Sequence, residues 1–420
     1  MKQETRSKYS FIYQFTGNPL VDGGIVALWA LSGKNSPQEI TTEDLRKSMD
    51  FAINVYPTWS KLRYLFTQNC LLLHPSIKNK AERYKGYLKD LIQKISNASA
   101  SGNCAICGMR DSDDLVLRQQ YPLTGSGDLV NYFSFFEQGL ALCPACIFAL
   151  QFLPFYLISN DGILFLVHSH DQKFMFDLAK EANVHIRSQR ATGKKQSFYM
   201  PFSFAKNDKY ELTVKLAREL TSRADKPYGR VLVRMYSFMN SGQKNFLNFI
   251  DLPVDIFDFI GKSHLMGIGK NLDYFLKQLS PRIYRALIEE KNVIYYFLRL
   301  KGRELIGGWD LFELYLVTVE HMDKKRLDVL KKVGNNLYDY LKLEGFKKLR
   351  DLESVGKYQD LRIFLAKAQK EHLITELDDE TDLFPESKEG IVKWRETWSI
   401  LLAYIYERMH KENLKVNRNE

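Results

Sequence analysis

The sequence predicts an α+β protein with a mixed N-terminal and central body, a four-cysteine insertion in that body and a C-terminal helical bundle. Three observations predict it: helical apolar spacing near the N-terminus, strand-like segments in the middle, and a helical pattern from Ser280 almost to the end. A chain of 420 residues is also too long for one typical hydrophobic core. We therefore expect a mostly helical N-terminal part (1–100), a four-cysteine segment (101–150), a basic α+β part (151–280) and a helical bundle (281–420).

The first clear element is a helix within residues 15–34. Asn18 is a suitable N-cap, Pro19 fits the first helical position and Gly33 fits the end. Asp22 lies in the first turn, where a negative charge suits the helix dipole. Two more helical patterns follow, at 42–53 and 78–96, before a polar linker at 96–103.

The central part mixes strands and helices. A buried strand is expected at 161–169, where His168, Ser169 and His170 form a surface strand end. A helix is expected at 206–223, and a half-exposed strand at 230–238 leads into a polar loop at 239–246. In the last third we expect helices at 281–300, 309–321, 323–333, 346–371 and 388–411.

Four of the five cysteines form two close pairs. Each pair, Cys104 with Cys107 and Cys143 with Cys146, places two thiolates on one tight turn. Zinc takes four such ligands in a tetrahedron, and four protein sulfurs leave no position for a catalytic water. The spacing therefore predicts a zinc knuckle that holds one structural zinc ion. An iron–sulfur cluster and two buried or redox-active pairs are the alternatives, and Cys70 is expected to be a core thiol.

Several function classes find no support in the sequence. No apolar run approaches the roughly 20 residues that a membrane span needs, and no secretory leader is recognisable. We expect a cytoplasmic protein without membrane contact. GIGK at 267–270 lacks the spacing of a phosphate-binding loop, and no catalytic motif of a metalloprotease, nuclease or helicase occurs. We therefore expect no enzymatic activity.

Positive charge is concentrated in the centre of the chain. Residues 181–250 hold thirteen Lys or Arg and five Asp or Glu, which gives +8 of the net +10. Aromatic residues lie among these cations, and this mixture suits nucleic acid, since cations neutralise phosphates and rings stack on bases. The predicted contacts are Arg187, Arg190, Lys194, Lys195, Arg230, Arg234, Asn240, Gln243 and Lys244.

Two of these groups have a simpler interpretation. The alternative interpretation of the cations is a solvated charged face. The amides of Asn240 and Gln243, with Lys244 beside them, suit base edges in a groove, but an ordinary hairpin turn fits the same residues.

The segment TGNPLVDGG at 16–24, the two cysteine pairs, the basic centre and the helical last third together resemble a known family. It is the large subunit of type I CRISPR interference complexes. More narrowly, the chain resembles the Cst-type large subunit of type I-B Cascade, which carries a zinc finger. The resemblance follows the whole chain in order, but its specific motifs are the 16–24 segment and the cysteines.

The resemblance implies a non-enzymatic subunit of an RNA-guided antiviral complex. Such a subunit lies beside the 5′ end of the guide RNA and recognises the protospacer-adjacent motif in duplex DNA. It helps to open the duplex, contacts the backbone, 5′-handle-binding and small subunits, and supports recruitment of a helicase-nuclease. A small subunit translated internally, from Met266 or Met322, is also implied.

Two other functions remain open from the sequence alone. One is a zinc-ribbon adaptor that binds only protein partners. The other is a zinc-dependent enzyme that modifies nucleic acid, which would require an open position on the metal.

Overall fold

A computed structural model shows how these segments fold. It describes residues 14–66, 70–97, 103–109, 114–117, 120, 122, 139–160, 162–194, 197–199, 208–223, 228, 231–240, 245–279, 281–371, 383–385, 393–412 and 414. The predicted α+β class, with a four-cysteine region and a helical C-terminal part, is confirmed. By contacts, the chain divides into two units, Met1–Leu216 with Val231–Leu252 and Ala217–Arg230 with Pro253–Glu420. The four-part division remains a prediction.

The first unit holds helices packed on a four-stranded sheet. Its helices are α1 (Pro19–Ser32), α2 (Thr42–Val55), α3 (Lys80–Asn97), α4 (Pro144–Phe152), α5 (Gln172–Ala191) and the first half of α6 (Lys209–Arg223). Its strands are β1 (Asp114–Val116), β2 (Leu140–Leu142), β3 (Ile158–Asn160), β4 (Ile163–Ser169), β5 (Val233–Asn240) and β6 (Asn245–Leu252).

Helix α1 forms as its sequence predicts. The Asn18 side chain accepts hydrogen bonds from the backbone N–H groups of Leu20 and Val21, and Gly33 ends the helix in the left-handed conformation. The helix is buried along almost its whole length and packs against α4, α5 and β4. It is therefore the central helix of this unit.

Two adjacent glycines set how closely α1 approaches its neighbours. A Cβ atom on Gly24 would lie 2.0 Å from the carbonyl oxygen of Ala149 in α4. A Cβ atom on Gly23 would lie within 3.1 Å of side chains that include Leu166 of β4. Because α1 and α4 meet backbone to backbone, a larger residue than glycine has no space at position 24.

The sheet is antiparallel, with the strand order β3-β4-β5-β6. His168, Arg234 and Asp251 lie side by side on three strands, as do Leu166, Tyr236 and Phe249. Directly paired residues point to the same face of an antiparallel sheet. One face therefore carries both rows, and α1 covers its β4 end.

The second unit is mostly helical. It holds the second half of α6 and α7 (Val254–Leu265), α8 (Gly269–Leu279), α9 (Arg282–Ile288), α10 (Gly308–Thr318), α11 (Lys324–Leu343), α12 (Leu349–Glu353), α13 (Tyr358–Glu371) and α14 (Trp394–Lys411). A two-stranded sheet of β7 (Leu298–Arg299) and β8 (Glu304–Leu305) lies among them. The half-buried ion pairs Arg303–Glu353 and Arg326–Glu396 join distant helices and loops in this unit.

Some predicted elements were wrong. The expected helix at 281–300 ends at Ile288, because Glu290 adopts a positive φ, and a 3-10 turn and strand β7 follow. The expected loop at 239–246 is partly strand, since Met239 and Asn240 extend β5 and Asn245 begins β6. The expected helix at 346–371 is interrupted between α12 and α13. Strand β6 and helices α5, α7 and α8 were not predicted.

Among the described residues, no helix is long and apolar enough to cross a membrane.

Candidate metal centre and basic residues

The two cysteine pairs are built on different local structures. Cys104 and Cys107 lie on a tight turn, in which the Gly108 N–H donates to the Cys104 carbonyl and Gly108 has a positive φ. Cys143 is the N-cap of α4 and Cys146 lies in its first turn. The first turn is attached to the second pair through β2, because the Ala105 N–H donates to the Ala141 carbonyl.

The four sulfur atoms form one cluster. They lie within 4.8 Å of one another, with Cys104 and Cys146 Sγ atoms 3.9 Å apart and Cys107 and Cys143 Sγ atoms 3.7 Å apart. Four sulfurs at about 2.3 Å from a zinc ion would be separated by about 3.8 Å in a regular tetrahedron. A disulfide needs about 2.05 Å. The spacing therefore fits four thiolates around one metal ion and excludes disulfides between these cysteines in this arrangement.

The electrostatics of the cluster also call for a cation. Hydrogen bonds from Cys107, Cys143 and Cys146 lower the pKa of Cys104, whereas hydrogen bonding to Cys104 raises the pKa of Cys143 and Cys146. Cys104, Cys143 and Cys146 are buried, so four thiolates without a cation would repel one another strongly. A divalent ion at the centre of the cluster offsets much of this repulsion. The cluster is consistent with zinc, as the sequence predicts.

The metal centre is attached directly to the core of the first unit. Helix α4 begins at the second cysteine pair and is buried at every position. Its Gln151 carbonyl accepts a hydrogen bond from Tyr56 Oη (2.5 Å), and its side chain accepts one from Tyr84 Oη (3.2 Å). The Gln151 Nε2 atom donates to the carbonyl of Gln120, which lies between the cysteine pairs in the sequence. The cysteine helix α4 is therefore connected to α3, to the turn that follows α2 and to the segment between the cysteine pairs.

A second buried polar cluster lies at the start of α1. The Asp22 carboxylate, fully buried, accepts hydrogen bonds from the Thr16 N–H, the Thr16 hydroxyl and the Gly17 N–H. His168 Nε2 lies 3.0 Å from the same carboxylate. The sequence assigned Asp22 only to the helix dipole. It predicted a surface strand end at His168, Ser169 and His170; these residues do lie at the end of β4, but His168 is half-buried against Asp22 and Ser169 is buried. Because Asp22 and His168 are 146 residues apart, nothing in the sequence indicated that their side chains are in contact.

The predicted nucleic-acid contacts Arg187 and Arg190 both lie on α5. Both guanidinium groups lie over the ring of Phe51, at 5.2 and 5.5 Å from its centroid. Arg187 also donates to the Leu31 carbonyl at the end of α1. The structure thus brings these two arginines together and packs them against α1 and α2.

Arg234 lies in β5 and is already paired. Its Nε and Nη2 atoms donate to the two carboxylate oxygens of Asp251 at 2.6 and 2.8 Å, and its guanidinium lies 4.7 Å from the Phe249 ring centroid. About two fifths of each charged side chain remains exposed. A phosphate would therefore meet a neutral pair at this place rather than a free cation.

The other predicted contacts are only partly described. Lys194 is exposed just after α5, and Asn240 pairs with Asn245 where β5 and β6 meet. Lys195, Arg230, Gln243 and Lys244 lie outside the described residues. The described cations of the basic centre are also divided between the two units, because Arg218 and Arg223 belong to the second unit and Arg187, Arg190, Lys194, Lys209, Lys215 and Arg234 belong to the first. These nine contacts stay predictions.

The cysteine segment matches a known protein family. Residues 97–157 match the model of a family described as CRISPR-associated protein (Cas_CXXC_CXXC), and this segment contains all four clustered cysteines. The match supports a CRISPR-associated protein. No curated protein and no solved structure matches the chain. The family match covers the first turn, β1, β2 and α4, which are the parts that build the metal centre and attach it to the core.

Proposed function

We propose that this chain is the non-catalytic large subunit of an RNA-guided CRISPR interference complex of type I-B, which recognises the protospacer-adjacent motif in duplex DNA. The observation that carries this proposal is the family match over the cysteine segment. The resemblance of the 16–24 segment supports it, since this segment and the cysteine helix α4 pack directly on each other.

In this proposal, the four cysteines hold one zinc ion with a structural role. All four ligand positions are protein sulfurs, so no position remains for a substrate or a reactive water. The ion holds the N-terminal end of α4 to the turn of Cys104 and Cys107. Its binding free energy, on the order of 10 kcal/mol, contributes directly to the free energy of folding. A purely enzymatic zinc site does not agree with this ligand set.

A matched pair of variants tests the structural role. Cys104→Ser should abolish zinc binding and cause aggregation or failure to assemble with the other subunits. Cys70→Ser removes a buried cysteine outside the cluster, and it should keep its zinc and assemble. A soluble Cys104→Ser chain that assembles normally and fails only in DNA binding would contradict this role.

The β5–β6 hairpin is the proposed element that reads the motif. Asn240 and Asn245 are the last paired residues, so only positions 241–244 connect the two strands. A short connection that carries Gln243 and Lys244 suits insertion into a groove, while pairing of guide and target reads the remaining sequence.

The whole proposal is tested with the assembled complex. The tagged chain should copurify with guide RNA and with the other subunits. The complex should then select particular nucleotides next to a guide-matched target in which the flanking positions are randomised. Alanine at Asn240, Gln243 and Lys244 should remove this selection, whereas Asn248→Ala, on the exposed part of β6, should keep it. A chain that copurifies with proteins but never with RNA would instead support the adaptor alternative.

A further inference from the structure

Strand β6 is one of the two edge strands of the four-stranded sheet, and it is the longer of the two. The other edge strand, β3, has three residues, and its Ser159 N–H donates to the carbonyl of Tyr199 beside it. β6 has eight residues, and among the described residues β5 is the one strand that pairs with it. The backbone N–H and C=O groups of β6 that point away from β5 therefore form an edge at which another strand can pair.

β6 also lacks the residues that usually protect an edge strand. Natural edge strands carry Lys or Pro, because a long uncharged edge pairs with strands of other chains. The β6 sequence NFLNFIDL contains no Lys, Arg or Pro, and its one charged residue, Asp251, is paired with Arg234. Leu247 is 61% exposed and Phe249 is 57% exposed on one face, and Asn248 is exposed on the other. β6 is thus an open and almost uncharged edge.

The sequence of β6 is complementary to itself in one antiparallel register. A two-fold axis at Asn248 places Leu247 of each copy opposite Phe249 of the other, and Phe246 opposite Ile250. Directly opposed residues have Cβ atoms about 5 Å apart, so the Leu and Phe side chains are within contact distance. The exposed Leu247 and Phe249 of both copies then form one apolar cluster on the same face, and this buries apolar surface.

Neighbouring registers lose this match. An axis at Leu247 places Phe249 opposite Asn245, and an axis at Phe249 places Leu247 opposite Asp251. A shift of one residue places Leu247 opposite Asn248. The two exposed apolar side chains therefore favour the register that is centred on Asn248.

Charge also favours a second copy of the chain over a nucleic acid at this edge. In the register centred on Asn248, Asp251 lies opposite Asn245, so the two β6 strands bring no like charges together. Arg234, whose guanidinium lies over Phe249, already donates two hydrogen bonds to Asp251. A phosphate backbone gains little from such a neutral pair.

We propose that β6 pairs antiparallel with β6 of a second copy of this chain, about a two-fold axis at Asn248. The two four-stranded sheets then join into one continuous sheet. The same residues contribute on both sides of this interface, as two-fold symmetry requires. The interface is small, and small interfaces give weak, reversible association. The inference does not depend on the proposed function, because it uses only the edge of the sheet.

Sedimentation velocity of the full-length, zinc-loaded chain tests the pairing. The chain should show a monomer–dimer equilibrium in which the dimer fraction rises with protein concentration. Leu247→Lys should raise the dissociation constant by about tenfold or more, because each dimer contains the substitution twice and loses the apolar contact at both places. Val184→Lys is the matched control, at a residue 67% exposed on α5, and it should leave the dissociation constant unchanged.

A pair of charge variants tests whether β6 faces itself. The double variants Leu247→Lys/Phe249→Lys and Leu247→Glu/Phe249→Glu should each be monomeric, because like charges then face each other across the axis. Mixed in equal amounts, the two should form a heterodimer, since each introduced lysine faces an introduced glutamate. Unfolded variants would not associate in this way.

Three results would overturn the proposal. The first is a chain that stays monomeric at every concentration. The second is a dimer that Leu247→Lys leaves intact, or a pair of double variants that do not associate on mixing. The third is a monomeric chain that loses a copurifying subunit through Leu247→Lys, which would assign the edge to a different protein.

Discussion

Replacing Gly24 by alanine should strongly destabilise the first unit, because this residue lies where α1 and α4 touch. The new Cβ atom would lie 2.0 Å from the Ala149 carbonyl oxygen and 2.5 Å from its carbonyl carbon. Both are backbone atoms, so no side-chain rotation relieves the contact. The two helices would have to separate by about 1 Å to bring the closer distance to 3.0 Å.

The size of the expected stability loss follows from the contacts that hold α4 in place. This helix is buried along its whole length, carries Cys143 and Cys146, and bonds to Tyr56 and Tyr84 through Gln151. Overpacking typically costs about 1–3 kcal/mol and occasionally more, and a clash between backbones belongs at the upper end. We expect a loss of about 3 kcal/mol, or a melting temperature about 6–12 °C lower for a unit of this size.

Gly86→Ala is the matched control. Gly86 lies on the exposed side of α3, and nothing lies within 4 Å of its added Cβ atom. Alanine in a helix interior is favoured over glycine, so this variant should gain roughly 0.5–1 kcal/mol. Urea denaturation of the two metal-loaded variants measures both effects. A Gly24→Ala protein as stable as Gly86→Ala would refute the close packing of α1 on α4.

Two further predictions concern the charged residues. If Arg187 and Arg190 both contact phosphates, the double variant Arg187→Gln/Arg190→Gln should reduce the slope of log binding constant against log salt concentration by about 2. The control Lys173→Gln, on the same helix, should leave this slope unchanged. An unaltered slope in the double variant would remove both arginines from the nucleic-acid contacts. Burial raises the pKa of Glu320, which accepts a hydrogen bond from Tyr315 Oη, so the folded state loses stability as pH rises through this raised pKa. Glu320→Gln should therefore raise the urea midpoint at pH 8 but not at pH 4, and an equal change at both pH values would contradict the shift.

Local signals in the sequence were sufficient for some elements. Asn18, Pro19 and Gly33 define α1 through backbone chemistry that acts within a few residues, and the paired spacing of the cysteines predicts their cluster. Strand β6 was missed for two reasons. Its sequence NFLNFIDL has apolar residues on both faces, so it lacks the polar–apolar alternation of a half-exposed strand, and its two asparagines are more typical of loops. Its exposed Leu247 and Phe249 look like core residues in the sequence.

Other features depend on contacts between distant residues. The α5 helix shows buried Phe174, Leu178 and Ile186 at helical spacing, a signal that the concentration of cations in the same region obscured. The ion pair of Arg234 with Asp251 could not be predicted without the register of a strand that had not been identified. A charge count along the chain therefore gave the number of cations but not which of them are already paired.

The most direct test of the account is metal analysis combined with X-ray absorption at the metal edge of the purified chain. The account predicts one zinc ion per chain with four sulfur ligands at about 2.3 Å, which Cys104→Ser abolishes and Cys70→Ser preserves. Iron with inorganic sulfide, a zinc ion with nitrogen or oxygen ligands, or a folded metal-free chain would contradict it.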